Sequence, residues 1–179
     1  MSSSVLILDE NEIGRALRRI AHEILEHNPR PENSLIAGIP QRGIALAERI
    51  AQLIGQIEGT SPKTGIVDIS MHRDDLSLRS RLLSVQETKL PLHLEGLTLV
   101  LVDDVLFTGR TCRAAMDAIS SFGRPDRIQY AVLIDRGHRE LPIRPDYVGK
   151  SLPTSRSELV KVRLKEVDQE ADSVRVEKP

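Results

Sequence analysis

Two carboxylates, Asp103 and Asp104, stand side by side at the end of an apolar run that begins at Leu97. Adjacent acids closing a buried stretch serve no packing purpose, but their oxygens are suited to accept hydrogen bonds from a sugar diol. Just beyond them, Thr108-Gly109-Arg110-Thr111 opens a helical pattern carried by Ala114, Ala115, Ala118, Ile119 and Phe122. A helix start presents free N–H groups and the positive end of the helix dipole, and both favour a phosphate. Gly109 lets the backbone approach such a group closely, and the hydroxyls of Thr108 and Thr111 add hydrogen bonds. The run Val105, Leu106, Phe107, Thr108, Gly109, Arg110, Thr111 is therefore expected to bind a phosphorylated ribose together with Asp103 and Asp104. It is not a P-loop, because no Gly-Lys-Ser/Thr closes it, and it lacks the three glycines of a dinucleotide site.

Other segments carry weaker signals. Pro40-Gln41-Arg42-Gly43 sits at a second strand-to-helix junction, where the guanidinium of Arg42 and the backbone at Gly43 suit a pyrophosphate. His72-Arg73-Asp74-Asp75-Leu76 opens a long polar stretch without periodicity. Such a stretch inside a compact domain reads as a lid that would exclude water and bring Arg73 to a leaving pyrophosphate. Asp135 and Arg136 follow another strand and are expected to line the same crevice. On the first helix, Arg15, Arg18, Arg19 and His22 lie opposite the apolar stripe. They form either a solvated face or a phosphate-binding patch, which Arg144 and Lys150 would extend.

The elements that must position these groups are legible from periodicity. Val5 to Leu8 reads as a short strand, and Asp9 as a cap for a helix from Glu10 to His27 whose Ile13, Leu17, Ile20 and Ile24 share one face. Pro29 and Pro31 stop it. Ser34 to Ile39 is a buried strand feeding a second helix through Ile44, Ile50 and Ile54, and Gly65 to Ser70 is a third strand. The Leu97 strand, its helix and a strand from Ile128 to Ile134 follow. Alternating strands and helices predict an α/β fold with a central, mostly parallel sheet. Short β signals at Tyr147-Val148, Leu159 to Leu164 and Val174 to Val176 are read as antiparallel pieces in the tail.

Composition bounds the remaining possibilities. The 179 residues, 40% hydrophobic and 28% charged, fit one globular domain spanning 1–179. Aromatic residues make up only 2%, so the core must be aliphatic. A formal net charge of −1 excludes nucleic-acid binding by bulk charge, so any such contact needs a local basic patch. The single cysteine, Cys112, excludes an internal disulfide and is read as a packing residue. No apolar run approaches membrane-spanning length, and a cytoplasmic location with no membrane partner is expected.

The strand, acid pair and Thr-Gly-x-Thr resemble the motif with which type I phosphoribosyltransferases hold phosphoribosyl pyrophosphate. Over nearly its whole length the chain resembles the PyrR family, bacterial regulators of pyrimidine operons that also act as uracil phosphoribosyltransferases. The matching runs include Arg19-Ile-Ala-His22-Glu23, Arg73-Asp-Asp-Leu76, Val102-Asp-Asp-Val-Leu-Phe-Thr-Gly-Arg-Thr111, Phe122-Gly-Arg-Pro125 and Pro153-Thr-Ser-Arg-Ser-Glu158. The most specific is Ile134-Asp-Arg-Gly-His-Arg-Glu-Leu-Pro-Ile-Arg144. The resemblance implies a type I phosphoribosyltransferase fold with a small antiparallel hood, and conversion of uracil and phosphoribosyl pyrophosphate to UMP and pyrophosphate. It further implies Mg²⁺ as cofactor, reached by Asp103 and Asp104 indirectly through ribose or water. Leader-mRNA binding controlled by uridine nucleotides (UMP or UTP), leading to transcription attenuation, and a homodimer or higher homo-oligomer are also implied. On matching positions, Asp103, Asp104 and Arg73 would be catalytic, Arg42, Gly43 and Arg73 would serve the pyrophosphate, and residues 108–111 the 5′-phosphate. Arg18, Arg19, His22, Arg144 and Lys150 would face RNA. His72 and Gln41 stand where the family commonly has tyrosine and threonine. A purine-base transferase and a nucleotide-sensing RNA-binding protein with little catalysis are the competing readings.

Overall fold

The computed structural model describes residues 4–72 and 87–178. Five strands form an all-parallel sheet: β2 (Ser34–Gly38), β3 (Lys63–Ile66), β4 (Thr98–Leu106), β5 (Arg127–Asp135) and β6 (Tyr147–Ser151), in the spatial order β3-β2-β4-β5-β6. A smaller antiparallel sheet joins β1 (Ser4–Leu8), β8 (Ser173–Glu177) and β7 (Leu159–Arg163), in that order. The helices are α1 (Glu10–His27), α2 (Arg42–Glu58), α3 (Arg110–Ser120) and the one-turn α4 (Lys165–Asp168).

The central sheet is covered on both sides. Val100 and Val102 of β4 pack with α1 and α2 through Ile13, Leu17, Ile20, Leu46 and Ile50. The alternate residues Leu99 and Leu101 pack with α3 through Ala114, Ala115 and Ile119. A strand buried on both faces needs apolar residues throughout, which is why β4 reads as a continuous run and not an alternation. Asp9 caps α1 as its position predicts: Asp9 Oδ1 accepts from Glu12 N at 2.8 Å, and Glu12 Oε2 accepts from Asp9 N at 2.9 Å. The two bonds satisfy end groups that the helix itself cannot. At the other end, α2 stops on Gly59, which is left-handed at φ 78°.

Three expectations need correction. Tyr147-Val148 belongs to no antiparallel tail; β6 extends the parallel sheet, with Ala131 opposite Tyr147 and Val132 opposite Val148. Gly149 makes the pairing close, because a Cβ there would collide with the Leu133 carbonyl oxygen of β5. The third strand ends at Ile66, short of Ser70, where Asp68 takes over as a turn residue by accepting from Ser70 N and Oγ at 3.1 and 2.7 Å. Finally, the hood is built from both chain ends, since β1 pairs with β8. Local periodicity is blind to a partner that far along the chain.

Candidate active site

The C-terminal end of β4 gives its two acids different surroundings. Asp103 is 7% exposed; its Oδ1 accepts from Asp104 N at 2.9 Å and its Oδ2 from the Tyr130 hydroxyl at 3.4 Å. Burial, and next the negative charge of Asp104, push the Asp103 carboxyl well above the ordinary carboxylate range. Tyr130 is pushed up likewise, by burial and then by Asp103. Asp104 is half-buried and accepts from Val105 N at 2.8 Å. It is the acid with room to meet a ligand.

Residues 105–111, with Tyr130 and Glu140, enclose a cavity of about 350 Å³. Its turn is held from behind by the segment after β5. The Leu106 carbonyl accepts from Arg136 N at 3.1 Å and the Thr108 carbonyl from Glu140 N and Leu141 N at 2.9 and 3.2 Å. The Phe107 carbonyl accepts from Arg139 Nη1 at 3.1 Å. Three successive carbonyls thus point into protein, while the first amides of α3 have no partner within their own helix. Gly109 begins the helix at φ 94°, a conformation that side-chain-bearing residues rarely adopt. The result is a cup with N–H donors on one side and threonine hydroxyls beside them, an arrangement whose chemistry suits an anion.

The second junction abuts this one. A Cβ on Gly43 would lie 2.5 Å from the Val102 carbonyl oxygen, so the start of α2 touches the residue before Asp103. The Pro40–Gln41 peptide bond in this turn is cis. Arg42 forms a two-pronged bond with Asp168 of α4, Nε to Oδ2 at 3.1 Å and Nη2 to Oδ1 at 2.7 Å. That bond, partly opposed by burial, raises the Arg42 pKa, with smaller contributions from the charges of Asp168 and Asp104.

Asp135 and Arg136 are placed differently from the expectation that they line the pocket. Asp135 Oδ2 accepts from Arg139 Nη2 at 2.6 Å and its Oδ1 from Gly137 N at 3.1 Å. Burial raises its pKa, but these bonds outweigh it and the net shift is downward. Arg136 is 6% exposed, donates to Thr154 Oγ1 and to the carbonyls of Ser155 and Glu158 at 3.1, 2.9 and 2.8 Å, and lies 4.2 Å over the Phe107 ring. The two residues brace the 105–111 turn from outside the cavity. Arg73 lies outside the described residues, as does most of the expected lid; His72 is half-buried next to it.

The basic residues of α1 divide between two grooves. Arg18 lines a groove of about 660 Å³ between α1, α2 and α4, shared with Gln52, Gln56 and Lys165. Arg19 turns the other way, donating to the carbonyls of Val148 and Gly149 of β6 and pairing with Glu23 at 2.7 Å. Arg19 and Lys150 line one shallow groove, and Arg15 borders both. His22 and Arg144 are exposed.

Residues 5–166 match the phosphoribosyl transferase domain family. The bifunctional protein PyrR of Chloroflexus aurantiacus is 58% identical over 168 residues, covering 94% of this chain and 92% of its own length. That of Deinococcus radiodurans is 56% identical over 162 residues, 90% of this chain and 88% of its own. The chain belongs to the PyrR family. Hypoxanthine phosphoribosyltransferase of Trypanosoma cruzi with IMP superposes with a TM-score of 0.70 at 17% identity, over 97% of this chain and 90% of that one. The HGPRT-ase of Leishmania tarentolae with GMP gives 0.71 at 16%, over 99% of this chain and 98% of that one. The fold is that of type I phosphoribosyltransferases, a parallel sheet flanked by helices with a small antiparallel sheet.

Four residues around this PyrR-family site escape sequence reasoning. Tyr130 reads as core aromatic in β5, yet its hydroxyl meets Asp103. Glu140 lines the cavity and pairs with Arg110 at 3.1 Å. Arg139 reads as an ordinary turn residue. Asp168 sits in a one-turn helix too short to leave a periodic trace. The Arg139-Glu140 pair does fall within the run most specific to the family, and that was the one available signal.

Proposed function

We propose that this chain transfers the phosphoribosyl group of phosphoribosyl pyrophosphate to uracil, yielding UMP and pyrophosphate, and that it binds leader mRNA of a pyrimidine operon under uridine-nucleotide control. One observation carries the transferase reading: the cup of about 350 Å³ whose carbonyls are pinned backward, at the C-terminal end of β4 immediately after Asp103 and Asp104. In this reading residues 108–111 hold the 5′-phosphate, Asp104 accepts from the ribose hydroxyls, and Asp103 fixes the backbone at Asp104. Arg42 and the Gly43 backbone face the pyrophosphate, with Arg73 added from the neighbouring segment. Uracil N1 bonds to the anomeric carbon as that carbon's bond to the pyrophosphate oxygen breaks. Positive charge builds on the sugar, the N1 proton passes to water or to the departing pyrophosphate, and pyrophosphate leaves. Catalysis is then mostly positioning and electrostatics.

The donor set suits Mg²⁺, which takes hard oxygen ligands and commonly relies on one or two carboxylates plus substrate phosphates. Among the described residues no group of three or more His, Cys, Asp or Glu side chains could hold a metal unaided. Asp104, with Asp103 behind it, would hold the ion through ribose or water. When bound, Mg²⁺ supplies charge neutralisation on the departing pyrophosphate.

The name shared by the relatives, and the exposed bases of α1, support the RNA role. Arg18, Arg19, His22, Arg144 and Lys150 are the proposed contacts, with the enzyme a cytoplasmic homo-oligomer. No helix among the described residues is long and apolar enough to cross a membrane. Asp104→Asn should cut uracil-dependent UMP formation by roughly a hundredfold or more, with unchanged circular dichroism; wild-type turnover would refute the diol role. Hypoxanthine and guanine in the same assay test the purine reading. Filter binding to a leader hairpin should tighten with UMP and weaken with salt. Indifference to UMP or to salt would count against the regulatory role.

A further inference from the structure

Asp168 makes four contacts, all of them inward. Its side chain is 6% exposed and accepts from Arg42 Nε and Nη2, from Arg163 Nη1 at 2.9 Å and from Leu164 N at 2.8 Å. Each carboxylate oxygen therefore receives two hydrogen bonds. A carboxylate matched to a guanidinium by two parallel bonds fixes its plane as well as its position. The prongs used are Nε and Nη2, so the third nitrogen, Nη1, is left pointing away from Asp168. Among the described residues Nη1 donates to no protein acceptor. The backbone beneath is equally fixed, because Gly43 rests against the Val102 carbonyl and Arg42 lies half-buried between the two.

We infer that Asp168 is a positioning residue for the transfer reaction: from α4, between the hood strands β7 and β8, it orients the Arg42 guanidinium so that Nη1 meets the diphosphate of phosphoribosyl pyrophosphate. An unpaired arginine at a helix start samples many rotamers, and ordering it on substrate binding costs side-chain entropy. The fork removes that freedom beforehand. Asp168 touches no substrate itself. It also ties the hood to the loop, since α4 is anchored to α2 by Arg49, which pairs with Glu166 and Asp172. This inference rests on the proposed role of Arg42 toward the pyrophosphate.

The test is Asp168→Asn, which keeps the shape but removes the charge and one acceptor. KM for phosphoribosyl pyrophosphate, and KM for pyrophosphate in the reverse reaction, should rise roughly tenfold to a hundredfold. The dissociation constant of UMP, which carries no diphosphate, should stay as in the wild type. A residue that merely supported the fold would weaken UMP as well, so parallel losses overturn the inference. An unchanged KM, or a gain in activity as if a latch had opened, overturns it too. Should Asp168→Asn not fold, Asp168→Glu, which keeps the charge but shifts the fork by one methylene, is judged by the same KM-against-UMP split. Arg42→Ala separates the two layers of the argument. If it leaves the diphosphate KM unchanged, the role of Arg42 fails. If it raises that KM while Asp168→Asn does not, only the positioning role of Asp168 fails.

Discussion

Gly43→Ala places one methyl group against the backbone that carries the acid pair. The new Cβ would sit 2.5 Å from the Val102 carbonyl oxygen, where ordinary contact begins at 3.4 Å, a shortfall of 0.9 Å. Neither side yields easily. The Val102 oxygen already accepts from Ile39 N at 2.9 Å, and Val102 itself is paired in register with Gly38. The overlap must move the start of α2, the end of β4, or both, by a large part of that shortfall. Overpacking of this kind costs about 1–3 kcal/mol of stability. Displacing Arg42 relative to Asp104 by nearly an ångström should lower kcat/KM by roughly tenfold to a hundredfold. The assay is steady-state UMP formation with both substrates varied, beside a urea titration. Gly14→Ala is the control: it lies within α1 with nothing within 4 Å of a built Cβ, so it should add about 0.5–1 kcal/mol and leave turnover alone. Wild-type kcat/KM in Gly43→Ala would show that the contact between the two junctions does not matter.

The remaining predictions concern charge and burial. Asp103 holds its proton more tightly folded than unfolded, so stability should fall as pH rises from the ordinary carboxylate range toward its raised value. Asp103→Asn should therefore raise the thermal midpoint more at pH 8 than at pH 5; an equal or negative change at both would contradict the assignment. Arg49→Ala strips partners from Asp172, whose side chain is 3% exposed, and should cost about 3–5 kcal/mol by urea unfolding. A loss under 1 kcal/mol would mean that water replaces the arginine. Burial pushes the Cys112 thiol up to about 12, so the native protein should not react with Ellman's reagent at pH 8 and should react in urea. Stoichiometric labelling without urea would place that helix face in solvent.

Much of the site was legible because its signals are local. The Leu97 run, the acid pair and the Thr-Gly-Arg-Thr turn are contiguous, and the twofold character of a doubly buried strand followed by a helical period needs no distant information. The cap at Asp9 and the stripe of Ile13, Leu17, Ile20 and Ile24 were readable for the same reason. The basic residues of α1 share one face in sequence, either solvated or a phosphate-binding patch, because a helix wheel shows only directions. The neighbours on either side, β6 for Arg19 and the α2–α4 groove for Arg18, divide it into two surfaces. Arg136 illustrates the opposite failure: a strand-end arginine fits a ligand pocket, yet its Nε and Nη2 are taken by the Thr154 hydroxyl and the Ser155 and Glu158 carbonyls, and its guanidinium lies over Phe107.

The chain's order alone determined that a buried strand would carry two adjacent acids close to a helix start, because propensity and period act between near neighbours. The strand itself runs on through Val105 and Leu106, which pair with Ile134 and Asp135 of β5. Tertiary structure decided which acid is enclosed, which loop pins the carbonyls of residues 106–108, and that Asp168 grips Arg42 from 126 positions away. Those outcomes depend on long-range closure, where a side chain's charge is set by what folds over it and not by what precedes it.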